Sequence, residues 1–305
     1  MALVVSIAAL LSVKLAPAQR AAAAANPNSR FGVYVGNSNV QAAEALGQAI
    51  GRRPKYVMVF LSGGSWQTIT DPSKLLSQWA GTNYQLIWDV PMLPHTGGAT
   101  LSSGAAGDYN QYFVTLATAL VAAGKGNSIV RLGWDFSWIG QSAEFNAYWQ
   151  QIVTAMRSVP GENYCFVWNP DASAFTQSGY SVALAYPGNA YVDVIGLEVY
   201  DQSWSTTSPS DSFSTHLPAL TAAQEFASSK GKPLALSEWG VVIRTDGYGL
   251  GDDPNFINDM ASWMKDPSND VTYETYFSAD GGGMNTVITD GLFPNSLAAF
   301  KADFG

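Results

Sequence analysis

Eight short apolar, β-branched segments alternate with helix-like stretches along this chain, and no other feature limits the fold as strongly. The strand-like segments are FGVYVG (31–36), YVMVFLS (56–62), YQLIWDVPML (84–93), SIVRLGWDF (128–136), YCFVWNP (164–170), VDVIGLEVY (192–200), PLALSEWG (233–240) and VTYETYFSAD (271–280). Between them lie VQAAEALGQAI, DPSKLLSQWA, YNQYFVTLATALVAAG, EFNAYWQQIVTAMRSV, LPALTAAQEFASSKG and DPNFINDMASWMKD. Asp or Asn stands near several of the expected helix starts, as N-caps do, and Gly closes two of the stretches. Strands that are apolar almost throughout must be covered on both faces, which is the signature of a parallel sheet dressed by helices. Eight such units in about 275 residues predict a single α/β domain, a (β/α)8 TIM barrel, rather than an open doubly wound sheet. No linker-like change in composition divides the chain, so the barrel is expected over residues 28–305.

The first segment, MALVVSIAALLSVKLAPAQRAAAAA (1–25), has an apolar run from Ala2 to Val13 and then Ala16-Pro17-Ala18. The run is short for a bilayer span, and the small residues after it suit a processing site. It reads as a signal-peptide-like leader, with the mature protein secreted or periplasmic. Lys14 and Arg20 fall within it and no acid does, leaving 13 basic against 24 acidic residues in the remainder. Such a balance speaks against nucleic acid and against anionic membrane surfaces, since both require clustered Lys and Arg. No stable membrane insertion is expected after processing, and the chain is read as a monomer. The single Cys165 allows no internal disulfide.

Barrel proteins keep their chemistry where strands end and loops begin. Those ends carry Trp66, Trp88-Asp89, Asp135, Trp168-Asn169, Glu198 with Tyr200, Glu238-Trp239 and Tyr276. Aromatic faces suit sugar rings, and carboxylates suit sugar hydroxyls and glycosidic oxygens. Strand alternation puts Arg131, Gly133 and Asp135 on one face, Gly196, Glu198 and Tyr200 on another, and Leu234, Leu236 and Glu238 on a third. Arg131 and Asp135 are then roughly 13 Å apart by strand rise, too far to pair. A buried guanidinium needs a carboxylate, and Glu198 is the expected partner, so that Arg131 and Glu198 form structural support below a working layer of Asp135 and Glu238. Two carboxylates across one mouth suit glycoside hydrolysis, one as proton donor and the other as nucleophile or base. His95 and His216 are isolated from further His or Cys at ligand spacing, so no metal is expected, nor any other cofactor.

Four of these stretches together resemble glycoside hydrolase family 26, the β-mannanase-like family of retaining barrel glycosidases. IVRLGWDFSW is similar to its fourth strand, where an Arg precedes a His-Glu pair and Trp-rich sequence. NYCFVWNP resembles the fifth strand, YVDVIGLEVYD the sixth, and GKPLALSEWG the seventh, whose Glu is the nucleophile. The resemblance implies catalysis by Glu238 as nucleophile and Asp135 as acid/base. It also implies that Tyr200 orients Glu238 and that Trp138 walls a subsite. Trp134, Trp66, Trp88, Trp168, Asn169, Trp239 and Tyr276 complete the expected substrate-binding set, with a polysaccharide or oligosaccharide as partner.

Here the family's His-Glu is Trp134-Asp135. Retaining enzymes hold their carboxyls about 5–5.5 Å apart and inverting ones about 6.5–9.5 Å, and the shorter Asp falls between. The reading adopted is that the backbone compensates and the mechanism retains. An exported endo-acting β-glycosidase is therefore expected, acting on a mannan-, xylan- or glucan-type polymer or an exopolysaccharide. A non-catalytic polysaccharide-binding relative and an exopolysaccharide-linked transglycosylase are the alternatives.

Overall fold

The computed structural model describes residues 30–136, 140, 142–203 and 212–305. Residues 1–25, expected as a leader, and Trp138 lie outside the described residues, as does the side chain of Asp135. Eight parallel strands close into a barrel: β1 (Phe31–Tyr34), β2 (Tyr56–Phe60), β3 (Gln85–Val90), β4 (Ile129–Phe136), β5 (Cys165–Pro170), β6 (Val194–Asp201), β7 (Leu234–Val241) and β8 (Val271–Phe277). Each pairs with its sequence neighbours, and β8 returns to β1 through Gly32↔Thr275 and Val33↔Tyr276. All eight expected strands are present and in order, so the TIM barrel reading holds.

Helices follow the strands where amphipathic stretches were expected, among them Val40–Ile50, Asn110–Ala122, Ala143–Arg157, Ser212–Lys230 and Pro254–Lys265. Local caps set several of their starts. Asn39 accepts from the Ala42 amide, Ser142 from the Phe145 amide, and Asp253 from those of Asn255 and Phe256. Among the described residues no helix is long and apolar enough to cross a membrane.

Two apolar layers sort the strand residues. Val57, Val59, Leu86, Trp88, Val130, Leu132, Phe166, Trp168, Leu197, Leu234, Leu236 and Trp239 join the larger cluster, between sheet and helices. Tyr56, Met58, Ile87, Val167, Val194, Ala235 and Tyr273 fill the barrel itself. Antiparallel ribbons from Ile243–Arg244, Met284–Asn285 and Asp280–Gly281 edge the C-terminal end of β7 and β8.

Among the described residues β4, β7 and β8 break strict alternation; the break on β8, at Thr272, lies at the strand's start, and those on β4 and β7 lie at the C-terminal mouth. On β4 the register with β5 shifts between Arg131↔Val167 and Trp134↔Asn169. Gly133 sits in that shift at φ 49°, left-handed backbone that glycine tolerates and a β-carbon would strain, and an added Cβ would also meet Met92 Sδ at 2.7 Å. On β7 the register with β6 runs Leu197↔Leu236 and then Glu198↔Glu238, so Ser237 is the extra residue. Alternation from Leu234 therefore does not carry through to Glu238. Leu234 and Leu236 face the helices, whereas Glu238 is turned to the barrel axis by the bulge. The expected shared face of Leu234, Leu236 and Glu238 is corrected on that ground. The β4 face is corrected likewise: the bulge brings Trp134 beside Arg131, and Asp135 falls between the pairs Trp134↔Asn169 and Phe136↔Pro170.

Candidate active site

Arg131 is the centre of the mouth. Its guanidinium is wholly buried and grips Asp89 of β3 with two bonds, Nε to Oδ1 at 2.9 Å and Nη2 to Oδ2 at 2.8 Å. The same Nη2 donates to Glu238 Oε1. Glu238 Oε2 accepts from the Tyr200 hydroxyl at 2.7 Å. One donor on each carboxylate oxygen fixes the rotation of Glu238, which is only 5% exposed. A planar guanidinium suits this task because its fork bridges two carboxylates at fixed angles.

Glu198 is not the partner of Arg131, contrary to expectation. Asn169 donates its side-chain Nδ2 to Glu198 Oε2, and the two carboxylates nearer to Arg131 take the guanidinium instead. Glu198 and Glu238 are nonetheless direct Cα partners across β6 and β7. Gly196 makes this crowding tolerable, because a β-carbon there would collide with Ser237 Oγ and Asn169 Oδ1.

An aromatic wall stands over the ion pair. Trp134 meets Phe60 edge-on at 5.1 Å, and the Arg131 guanidinium carbon lies 5.4 Å from the Trp134 ring centre. Tyr34 stacks on Phe277 at 4.5 Å, and Phe277 meets Tyr200 edge-on at 6.0 Å. Burial raises the Tyr34 phenol, and the charges of Glu238 and Asp89 raise it further. Beside this cluster opens a cleft of about 580 Å3, lined by Asp171, Thr176, Glu198, Tyr200, Gln202 and His216 among others. His216 is held below its ordinary value by burial. Among the described residues no three His, Cys, Asp or Glu side chains converge as metal ligands would.

Of the expected residues, the mouth thus gathers Arg131, Trp134, Asn169, Glu198, Tyr200 and Glu238. Asp135 is placed there through its backbone on β4. Four aromatic residues expected to bind substrate are directed elsewhere, and each is a correction. Trp88 is fully buried and bonds Ser128 Oγ through Nε1 at 3.2 Å. Trp168 packs on Phe136, Tyr186 and Phe226. Trp239 lies against Phe256 and Phe300 and donates to Glu274 Oε2 at 2.7 Å. Tyr276 packs on Phe300 at 4.9 Å. All four neighbour an inward residue on their strands, so the pleat turns them outward to the helices. Trp66 packs against the larger layer at Phe113 and stacks on Tyr112 at 4.3 Å, among the helices after β2 and β3. Asp89, Tyr34, Phe60 and Phe277 belong to the mouth and were not in the expected set. For Asp89 the signal was present, since it shares the face of buried Ile87.

Comparison with known proteins bears on the fold and on the stretch from β4 to β7. The model of glycosyl hydrolase family 26 matches residues 133–233, from the β4 bulge to the approach of β7. A mannan endo-1,4-β-mannosidase of Bifidobacterium adolescentis is 26% identical over 146 residues, which are 47% of this chain but 14% of that protein. The match therefore spans a small part of that relative's length. A modular endo-β-1,4-mannanase from Cellulomonas fimi superposes with a TM-score of 0.64 at 18% identity, covering 90% of this chain and 69% of that one. An endo-β-1,4-glucanase from Xanthomonas axonopodis pv. citri superposes with a TM-score of 0.59 at 16% identity, over 90% and 98% of the two chains. These structural likenesses establish the barrel. The resemblance to glycosyl hydrolase family 26 holds over the segment that its model matches.

Proposed function

We propose that this chain, with its family 26 resemblance between β4 and β7, is an endo-acting glycoside hydrolase that cleaves a β-linked polysaccharide with net retention. The observation that carries this reading is the Glu238 carboxylate, held at the barrel mouth by Arg131 and Tyr200 beside an open cleft. In the proposed mechanism Glu238 attacks the anomeric carbon while Asp135 gives its proton to the departing glycosidic oxygen. A glycosyl ester on Glu238 results. Asp135, now a carboxylate, takes a proton from water as that water attacks the anomeric carbon and releases Glu238. Trp134 offers an aromatic face to a sugar ring, and Glu198, held from below by the buried Asn169, offers an acceptor to its hydroxyls. The relatives' names favour a β-1,4-mannan or β-1,4-glucan backbone as the first substrates to try. The leader over 1–25 supports export to the periplasm or medium.

The test is release of reducing ends from a panel of β-mannan, β-xylan and β-glucan, with the product anomer followed by NMR. Glu238→Gln is expected to keep ligand binding and lose turnover by orders of magnitude. Near-normal turnover of that variant would overturn the assignment. Saccharide binding by the unaltered protein, with no turnover at high protein concentration, would favour a binding protein instead.

A further inference from the structure

The end of the barrel opposite Glu238 carries a second cavity of about 310 Å3. Its lining comes from the starts of the strands: Arg30 before β1, Lys55 before β2, Asn127 before β4, Asn163 before β5, Cys165 at the start of β5 and Thr272 at the start of β8. The lining includes two cations, several amide and hydroxyl groups, and no carboxylate. That is unusual in a chain with 24 acidic and 15 basic residues. The two mouths therefore have opposite character, acidic at the C-terminal end and basic at the N-terminal end.

Arg30 is built into this cavity rather than waving above it. Only 5% exposed, it donates Nη1 to Thr272 Oγ1 at 2.7 Å and to Thr272 O at 3.1 Å. Burial lowers its pKa, and the groups that offset this are Tyr56 and Cys165, both neutral at neutral pH in their ordinary forms. The Lys55 ammonium lies 5.1 Å from the Tyr56 ring centre, at the same rim. A concave site lined by one sign of charge concentrates ions of the other sign, and a guanidinium beside amide donors matches the oxygens of an oxyanion.

We propose that the N-terminal mouth of the barrel is a binding site for a compact oxyanion of the phosphate type, with Arg30 and Lys55 as the charged contacts. The site is separate from the proposed hydrolytic centre and does not depend on it. The chain provides its own reporter, since its one cysteine, Cys165, lines the cavity and is half-buried. Alkylation of Cys165 by iodoacetamide, a neutral reagent, reads occupancy without any glycan substrate.

Inorganic phosphate is expected to slow that alkylation several-fold and saturably, where sodium chloride of equal ionic strength does not. Lys55→Gln, at an exposed position, is expected to remove most of the protection. Arg30→Lys keeps the charge and loses the fork, and it is expected to weaken protection as well. Glycerol phosphate in place of inorganic phosphate separates a site for esters from one for the free ion; protection by either supports the proposal. Equal effects of chloride and phosphate, no protection by either phosphate, or full protection in both variants would overturn it.

Discussion

Arg131 and Asp89 form a two-bond ion pair between adjacent strands β4 and β3, buried completely at the floor of the mouth. Because the same guanidinium also reaches Glu238, Asp89 acts on Glu238 at one remove. Removing Asp89 leaves Arg131 free to re-aim, and the carboxylate that depends on it loses its setting.

Asp89→Ala is expected to cost about 3–5 kcal/mol of stability, as for other broken buried pairs. It should also cost roughly 100-fold in kcat through misplacement of Glu238. Urea unfolding and steady-state hydrolysis measure the two. A stable, fully active variant would remove Asp89 from this role.

Tyr200→Phe deletes the donor to Glu238 Oε2 and nothing bulky. Stability should fall by only about 1 kcal/mol. The kcat should fall about 10- to 100-fold, because one carboxylate oxygen loses its anchor. A loss in KM alone, with kcat kept, would mean that Tyr200 touches only substrate.

Trp134 and Trp168 are expected to behave in opposite ways although both stand at strand ends. Trp134→Ala removes a ring at the mouth and should raise KM roughly tenfold, or about 1.4 kcal/mol. Trp168→Phe alters a fully buried ring between sheet and helices and should cost ~1–3 kcal/mol of stability with KM unchanged. Melting curves beside KM values decide the matter, and a KM defect in the Trp168 variant would contradict the placement.

Glu274, under Trp239, gives the protein a pH-dependent stability. Burial raises its pKa from an ordinary 4.5 to about 8, against the opposing hydrogen bond from Trp239 and the charge of Arg52. A raised folded-state value means that the native state holds the proton more tightly than the unfolded chain. The stabilisation is whole below about pH 4.5, declines as pH rises and is gone above about pH 8. Through that window the slope from this group approaches ~1.4 kcal/mol per pH unit. Unfolding free energies at pH 6 and pH 9 should converge in Glu274→Gln, and an unchanged slope would exclude Glu274 as the source.

Much of this protein was legible in its sequence. The alternation of apolar strands with amphipathic helices dictates the barrel, because parallel strands need cover on both faces and short loops set their order. The strand sequences pointed to Glu238 and Asp135 for chemistry and to Arg131 and Glu198 for support, and the family resemblance set Tyr200 beside Glu238. Period-two reasoning, applied strictly, would also have sent Trp88, Trp168 and Trp239 outward, since each adjoins an inward Asp89, Asn169 or Glu238. What only the tertiary structure decided is the pairing. Bulges at Gly133 and Ser237 shift β4 and β7 by one residue, and a one-residue shift turns the side chains that follow to the other face of the sheet. That shift sets Trp134 and Glu238 beside Arg131 and gives the guanidinium to Asp89 and Glu238 rather than to Glu198. A sequence carries the charges; the register of neighbouring strands decides which of them meet.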